Sequence, residues 1–257
     1  MKGVVIGLGR VGLPVSRILA NRFDLIGIDV LRVEGFPGEM LQLDVTDDSP
    51  ETTRAFEEAI RGTDFILYTA IADPRHGRFS EPDYWAVNTH GAGTVFALGA
   101  KHGVRRLVYY SSLSVYHEPR YNQIDALTEK IEPHPGIIPE EEGVSRVMAV
   151  YAHTKLAGEQ KLADHCNERS QGIVLRLAAP RTDRDFERLN HLDVTHIDDV
   201  AQATERAIVA PLSNGNEPFT FGVFHIVQDH PDSSMSVERA RNVLGYRPQH
   251  KAKRRRS

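Results

Sequence analysis

Tyr151 and Lys155 stand four residues apart in "YAHTK", inside a stretch whose apolar spacing predicts a helix, so both side chains share one face. A phenol with a free pKa near ~10 is a poor base at neutral pH, but a neighbouring ammonium favours its anion. The pair suits removal of a proton from a carbinol, although the same spacing is also common on helix surfaces. Near the start, "VVIGLGRVGLPVSRILA" (4–20) sets Gly7, Gly9 and Gly12 as GxGxxG between a β-branched run and a helical pattern. At such a junction the bare N–H groups of the loop, Arg10 and Val11 included, and the helix dipole can meet a pyrophosphate. A second strand, "LIGID", ends in Asp29, the right distance on for an acid that accepts ribose hydroxyls. An aspartate there repels a 2′-phosphate and favours NAD over NADP; Arg32 opposes that preference, because a guanidinium can pair with the phosphate.

A frame must bring these scattered groups together. Short β-branched runs alternate with longer amphipathic stretches over most of the chain, the pattern of a parallel sheet with helices on both faces. The strands expected are "GVVIG", "DLIGID", "MLQLDV", "DFILYTA", "RRLVYYSS", "GIVLRLA" and "DVTHI". Helices are expected at 11–21, 51–61, 82–102, 149–170 and 198–210, several closed by a glycine such as Gly62 or Gly103. The fold class is therefore α/β, a Rossmann-type doubly wound parallel sheet in one domain over 1–248. It includes a small, truncated C-terminal substrate region (about 113–148 and 180–248). Residues 249–257, ending in "KAKRRRS", read as a basic disordered tail. The connection 113–148, with Pro119, Pro133, Pro135 and Pro139, is far longer than the usual βα loop of about 2–6 residues and reads as a functional or mobile insertion.

Composition narrows the class. Of 257 residues 40% are hydrophobic and 26% charged, with a formal net charge of -4, which argues against a large basic nucleic-acid surface. Cys166 is alone, so an internal disulfide or CxxC clip is excluded. No apolar run approaches the ~20 residues that span a bilayer, and the first strand begins at once, so a cytoplasmic location without a signal peptide is expected. The histidines form neither HxH nor HExxH, so no metal is expected; His191 and His196 read as loop and strand residues. "GVSRV" lacks the second glycine of a nucleophile elbow, which sets a serine hydrolase aside.

The opening "GLGRVGLP" resembles two-domain UDP-sugar dehydrogenases, whose catalytic cysteine lies far downstream in a much longer chain. Later motifs instead resemble the extended and atypical short-chain dehydrogenase/reductase superfamily, in its NAD-dependent epimerase/dehydratase branch. In "VYYSSLSVY" the resemblance makes Ser112 the hydroxyl that hydrogen-bonds the reacting oxygen, with Ser111 and Ser114 as rivals. "LDVTD" implies an adenine contact through Asp44 and Val45, and "LYTAIAD" places Thr69 and Ala70 near the nicotinamide ribose. "WAVNTHGAGTV" resembles the Asn-Val-x-Gly-Thr helix and adds Asn88 to the cofactor contacts, although Asn88 and Asp198 read equally well as structural caps. "LRLAAP" (175–180) resembles the segment beside the nicotinamide, "VTHIDDVAQA" the Val-Asp-Asp-Val-Ala element, and "ARNVLGYRP" the closing helix and turn.

Departures from the family pattern refine the reading. GxGxxG replaces the usual GxxGxxG, as in atypical members. Leu113 and Ser114 stand where dehydratases carry an acid pair, so an elimination lacks its local acid and base. Only about 15 residues separate "LRLAAP" from "THIDDV", too few for a nucleotide-diphosphate clasp. Length and ending resemble uronate dehydrogenases, which however follow their serine with Asn and His. The expectation is an NAD-dependent oxidoreductase acting on a hydroxyl or lactol of a small free sugar or sugar acid. Tyr151 is the base, Ser112 orients the hydroxyl, and Lys155 holds the nicotinamide ribose. Asp73, Ser114, Arg184 and Arg188 stand as substrate contacts, with Arg181 beside them; these loop arginines read equally as a solvated face. Alternatives are a UDP-sugar epimerase with tightly bound NAD and a non-catalytic NAD-sensing protein. No nucleic-acid or membrane partner is expected, and a homodimer is left open.

Overall fold

Strands built of near-continuous apolar residues are stable only when both faces are covered, and the central sheet meets that condition. The computed structural model describes residues 1–76, 79–124, 126–182, 186, 193–214 and 217–251. Seven parallel strands form the sheet: β1 (Lys2–Ile6), β2 (Asp24–Asp29), β3 (Glu39–Gln42), β4 (Phe65–Tyr68), β5 (Arg106–Ser112), β6 (Gln171–Leu177) and β11 (Phe221–Ile226). Two-residue strands β7 (Pro180–Arg181) and β8 (Thr195–His196) pair with each other, as do β9 (Ser213–Asn214) and β10 (Glu217–Pro218). The sheet order is β11-β6-β5-β4-β1-β2-β3, so the order reverses between β1 and β4, where parallel α/β sheets open a crevice at the strand ends.

Alternation along each strand divides the core in two. Val5, Phe65, Leu67, Val108, Tyr110 and Leu175 meet α1 (Gly12–Leu19) and α6 (Ile197–Val209) on one face. Val4, Ile6, Ile66, Tyr68, Leu107 and Tyr109 meet α2 (Pro50–Ile60), α4 (Ala92–Lys101) and α5 (Val144–His165) on the other. Among the described residues no helix is long and apolar enough to cross a membrane.

Ahead of α4, α3 (Glu81–Trp85) runs into a wide turn over Ala86–Gly91, so the helix expected at 82–102 exists with a bulge. Wide turns free backbone carbonyls. Here the hydroxyls of Tyr68 and Tyr109 donate to the carbonyls of Val87 (2.7 Å) and Asn88 (2.9 Å).

Several expectations are corrected. "DVTHI" contributes only β8, outside the main sheet, and the seventh strand is β11, "FGVFHI". Gly222 and His225 interrupt that run, and His225 tolerates full burial because its Nε2 meets the Tyr116 hydroxyl at 3.0 Å. "MLQLDV" shrinks to β3. The long connection ends at 143, where α5 begins, and it is folded rather than structureless. Tyr116, Tyr121 and Leu127 are buried, and Leu127 exchanges backbone bonds with Ser234 (2.7 Å) and Ser236 (2.8 Å). Residues 249 and 250, expected in the tail, donate their N–H groups to Asp199 at 2.8 and 3.0 Å; 252–257 lie outside the described residues.

One buried ion pair joins α5 to β6. Arg176 Nε and Nη2 reach Glu159 Oε1 and Oε2 at 2.9 and 2.7 Å, and both side chains are about 95% buried, with relative exposures of 4% and 5%. The Ser111 hydroxyl adds a third bond to Glu159, and Arg176 Nη1 donates to the Tyr116 oxygen at 2.6 Å. Removing one partner strands a buried charge, so Arg176→Met should destabilise the protein by about 3–5 kcal/mol in urea unfolding. The double variant Arg176→Met/Glu159→Gln should recover part of that loss, whereas additive losses would speak against coupling.

Candidate active site

The loop after β1 is shaped by close approach. Gly7 has φ +92°, and a Cβ there would lie 2.3 Å from the Ala70 nitrogen; a Cβ on Gly12 would lie 2.0 Å from the Gly7 carbonyl oxygen. Only glycine fits either position. Gly9 differs: nothing lies within 4 Å of its would-be Cβ, so its backbone faces open space. The N-cap of α1 is Val11, which offers no side-chain bond, and no acid stands in the first turn. An N-terminus left without a side-chain acceptor and facing a cavity suits a phosphate.

That cavity, of about 580 Å³, runs along the strand ends. Its walls include Gly7, Gly9, Arg10, Val11, Gly12, Asp29, Asp44, Val45, Thr69 and Ala70, then Asp73, Ser112, Ser114 and Tyr151. Since β2 and β5 are three strand spacings apart, Asp29 and Ser112 are separated by about 14 Å across the sheet, a span suited to an extended ligand. Asp29 is positioned by its own neighbours: Oδ2 accepts the Leu8 N–H at 2.6 Å and Oδ1 the Leu31 N–H at 2.9 Å. Each oxygen retains a lone pair for a hydroxyl. Asp44 Oδ1 accepts from the Thr46 N–H and hydroxyl, both at 2.8 Å, and Thr69 gives its hydroxyl to the Gly7 carbonyl.

Two expected contacts sit elsewhere. Asn88 does not line the cavity; it is fully buried, its Oδ1 accepting the Ala72 N–H at 3.1 Å and its Nδ2 donating to Thr154 at 3.0 Å. It ties the bulge to α5, the structural alternative of the sequence reading. Lys155 lies behind the wall, its Nζ 4.0 Å from the centroid of the Tyr109 ring. Arg184 and Arg188 lie outside the described residues, while Arg181 is in the wall.

The reacting end is built by β5 and α5. Ser112 ends β5 and caps the short 3-10 turn Leu113–Tyr116; its Oγ accepts the Ser114 N–H at 3.1 Å and the Ser114 hydroxyl at 2.9 Å. Of the rival hydroxyls, Ser111 is committed to Glu159. Tyr151 is half-buried in the wall, and its phenol is pushed up to about 12 by burial. A hydrogen bond from Ser112 and the charges of Arg75 and Arg10 pull it down, while Asp73 pushes it further up. Sequence reasoning missed Arg75, whose guanidinium forms a two-pronged pair with Asp73 beside Tyr151. The signal was "DPR" directly after a strand, an acid and a base two residues apart across a turn. It also missed Phe79, Met148 and Asp193 in the wall, for which no local signal existed.

The residues present fit a dinucleotide. Gly9 is open, α1 is uncapped, Asp29 has acceptors to spare, and the Lys155 ammonium is buried without a hydrogen-bond partner among the described residues. A metal fits less well. His196, Asp198 and His250 cluster, but the two imidazoles stack with centroids 3.7 Å apart and planes 23° from parallel. In-plane lone pairs of near-parallel rings do not converge on one ion.

Residues 31–178, more than half of the chain, match the model of the 3-beta hydroxysteroid dehydrogenase/isomerase family. A relative from Sinorhizobium fredii, named uncharacterized protein y4nG, is 27% identical over 222 residues, 84% of this chain and 48% of that protein. The chain thus spans about half the length of that relative. Among solved structures, a mutated uronate dehydrogenase aligns with a TM-score of 0.74 at 20% identity, over 98% of this chain and 82% of its own. UDP-glucuronic acid 4-epimerase from Bacillus cereus, in complex with UDP-glucuronic acid and NAD, aligns with a TM-score of 0.72 at 15% identity, over 98% and 95%. At such identities the likeness is one of fold.

Burial holds the Lys155 ammonium down to about 7, against the ordinary 10.5. Between those values the unfolded chain binds the proton that the folded one has released, so stability rises with pH across that window. The wild type should therefore gain on Lys155→Met in thermal melts between about pH 7 and 10. A flat or falling difference would contradict the burial of an uncompensated ammonium.

Proposed function

Starting from a chain that belongs to the 3-beta hydroxysteroid dehydrogenase/isomerase family, we propose an NAD-dependent oxidoreductase acting on a hydroxyl or lactol of a small sugar-like substrate. One observation carries this reading: a single cavity holds the glycine loop and Asp29 together with Ser112 and Tyr151. Gly9, Arg10, Val11 and Gly12 would hold the pyrophosphate, Asp29 the adenosine ribose, Asp44 and Val45 the adenine, and Thr69 and Ala70 the nicotinamide side, with Lys155 behind that wall rather than in it. Bound there, an oxidised nicotinamide would supply a hydride acceptor and a positive charge.

Tyr151 Oη would take the proton of the substrate hydroxyl while Ser112 donates to the same oxygen. Lys155, one helical turn away, biases the phenol toward its anion. Because burial leaves Tyr151 at about 12 even with Ser112, Arg75 and Arg10 pulling it down, the base is formed only when further positive charge gathers around it.

The family match stops at 178 and leaves the substrate side open. A small polar substrate is supported by the walls nearest Tyr151, where Asp73, Arg75, Ser114, Arg181 and Asp193 supply hydrogen-bonding and charged groups. It is also supported by the cavity's size, since 580 Å³ must accommodate a dinucleotide before any substrate. UDP-sugar epimerisation is the second reading, favoured by the fold likeness to the Bacillus cereus epimerase.

A screen of free uronates, aldoses and UDP-sugars with NAD tests both. The expected result is NADH absorbance from a free sugar or sugar acid, abolished in Tyr151→Phe with NAD affinity kept within a few-fold. UDP-glucose should give no calorimetric heat at millimolar concentration; micromolar binding with sugar-isomer exchange would favour the epimerase instead. NAD(H) should bind at least tenfold tighter than NADP(H), about 1.4 kcal/mol, and Asp29→Ala should narrow the gap chiefly by admitting NADP(H). Equal affinities in the wild type would overturn that cofactor choice.

A further inference from the structure

We infer that Ser114 is a positioning residue that makes Ser112 an obligate hydrogen-bond donor toward the reacting oxygens. The inference rests on the proposed roles of Ser112 and Tyr151. A serine hydroxyl has one proton and two lone pairs. Both lone pairs of Ser112 are filled from one residue: the Ser114 N–H at 3.1 Å and the Ser114 hydroxyl at 2.9 Å. The only hydrogen-bonding capacity left to Ser112 is its own proton. Ser111 offers no alternative, because its hydroxyl is given to Glu159.

The turn that aims Ser114 is held rigidly. Leu113, Val115 and Tyr116 of the same turn are buried, and the Tyr116 oxygen is fixed by Arg176 at 2.6 Å and His225 at 3.0 Å. Ser114 itself stands in the cavity wall, so the relay from Ser114 to Ser112 ends beside Tyr151. The Ser112 proton goes to the Tyr151 oxygen, consistent with the hydrogen bond that holds Tyr151 down against burial.

The chemical consequence concerns orientation. A serine free to accept can take the substrate's hydroxyl proton into a hydrogen bond and turn it away from the base. With both lone pairs filled, Ser112 can only donate to the substrate oxygen, which leaves the substrate proton for Tyr151. The O–H bond of the substrate breaks, its proton passes to Oη of Tyr151 in the phenolate form and makes it a neutral phenol, and Ser112 keeps its own proton. Since the donor prefers an oxygen gaining negative charge, its bond strengthens as the reaction proceeds.

Among the described residues, the charged and titratable groups that act on Tyr151 are Tyr109 on β5, Arg10 from the glycine loop, and Asp73 and Arg75 after β4, while Lys155, one turn along the same helix, lies over the Tyr109 ring. Ser114→Ala alters none of them. It should move the alkaline rise of kcat to higher pH by about 0.5–1 unit, a three- to tenfold loss on that limb, and Ser114→Thr should restore the parent profile. In carbon-13 spectra of tyrosine-labelled, ligand-free protein, the Tyr151 resonance should shift in Ser114→Ala and return in Ser114→Thr; Tyr151→Phe identifies it. Thermal melts check that both variants fold. If Ser112→Ala and Tyr151→Phe abolish turnover while Ser114→Ala leaves profile and resonance unchanged, the inference falls and the site reading stands. Should Ser112→Ala and Tyr151→Phe both turn over normally, the site reading falls and takes the inference with it.

Discussion

Glu159 is the third member of a helix face that also carries Tyr151 and Lys155, at intervals of four residues. A helix lying on a sheet can roll about its axis unless something stops it, and a roll of a few tens of degrees would aim the phenol away from β5. The two-pronged bond from Arg176 on β6, with the Ser111 hydroxyl from β5, removes that freedom. Taking both charges out of water costs more than simple attraction returns unless every remaining donor is satisfied. Here Arg176 Nη1 has Tyr116, and both Glu159 oxygens are bonded. The pair therefore acts as a register pin: it orients one face of α5, and the distances in the site follow from it.

Much of this was legible in the residues because the governing period was local. Tyr151 and Lys155 are four apart on a helix, and Gly7, Gly9 and Gly12 meet across one turn, so sequence distance and spatial distance coincide. Asp29 reaches the cavity wall by its place at a strand end, a position that the residues themselves reveal. Glu159 escaped notice because its partner is Arg176, seventeen residues away across a helix and a loop, and only the sheet brings them together. The strand β11 escaped for a related reason: a buried histidine breaks its apolar run, and the tyrosine that makes this tolerable lies 109 residues earlier. Asn88 reads equally as a cofactor contact or a structural cap, and packing uses both of its amide atoms.

The electrostatics of Tyr151 are a balance of near neighbours rather than of one strong term. Burial and Asp73 favour the neutral phenol; Ser112, Arg75 and Arg10 favour its anion. Arg75 is held by Asp73 itself, so the cation with the larger pull on the phenol is already partly neutralised. The phenol consequently keeps its proton at neutral pH in the protein by itself.

The folded connection between β5 and α5 docks on segments that come very late in the chain. Leu127 bonds to Ser234 and Ser236, Glu129 accepts the His225 N–H at 2.8 Å, and Tyr116 meets His225. Synthesis delivers the glycine loop well before these docking segments, so the serine turn waits for its supports after the loop is made. Contacts of such long sequence separation close late in folding. The serine turn is thus among the later parts of this fold to acquire its shape, and a chain cut before β11 keeps the glycine loop but loses the partners that hold that turn in place.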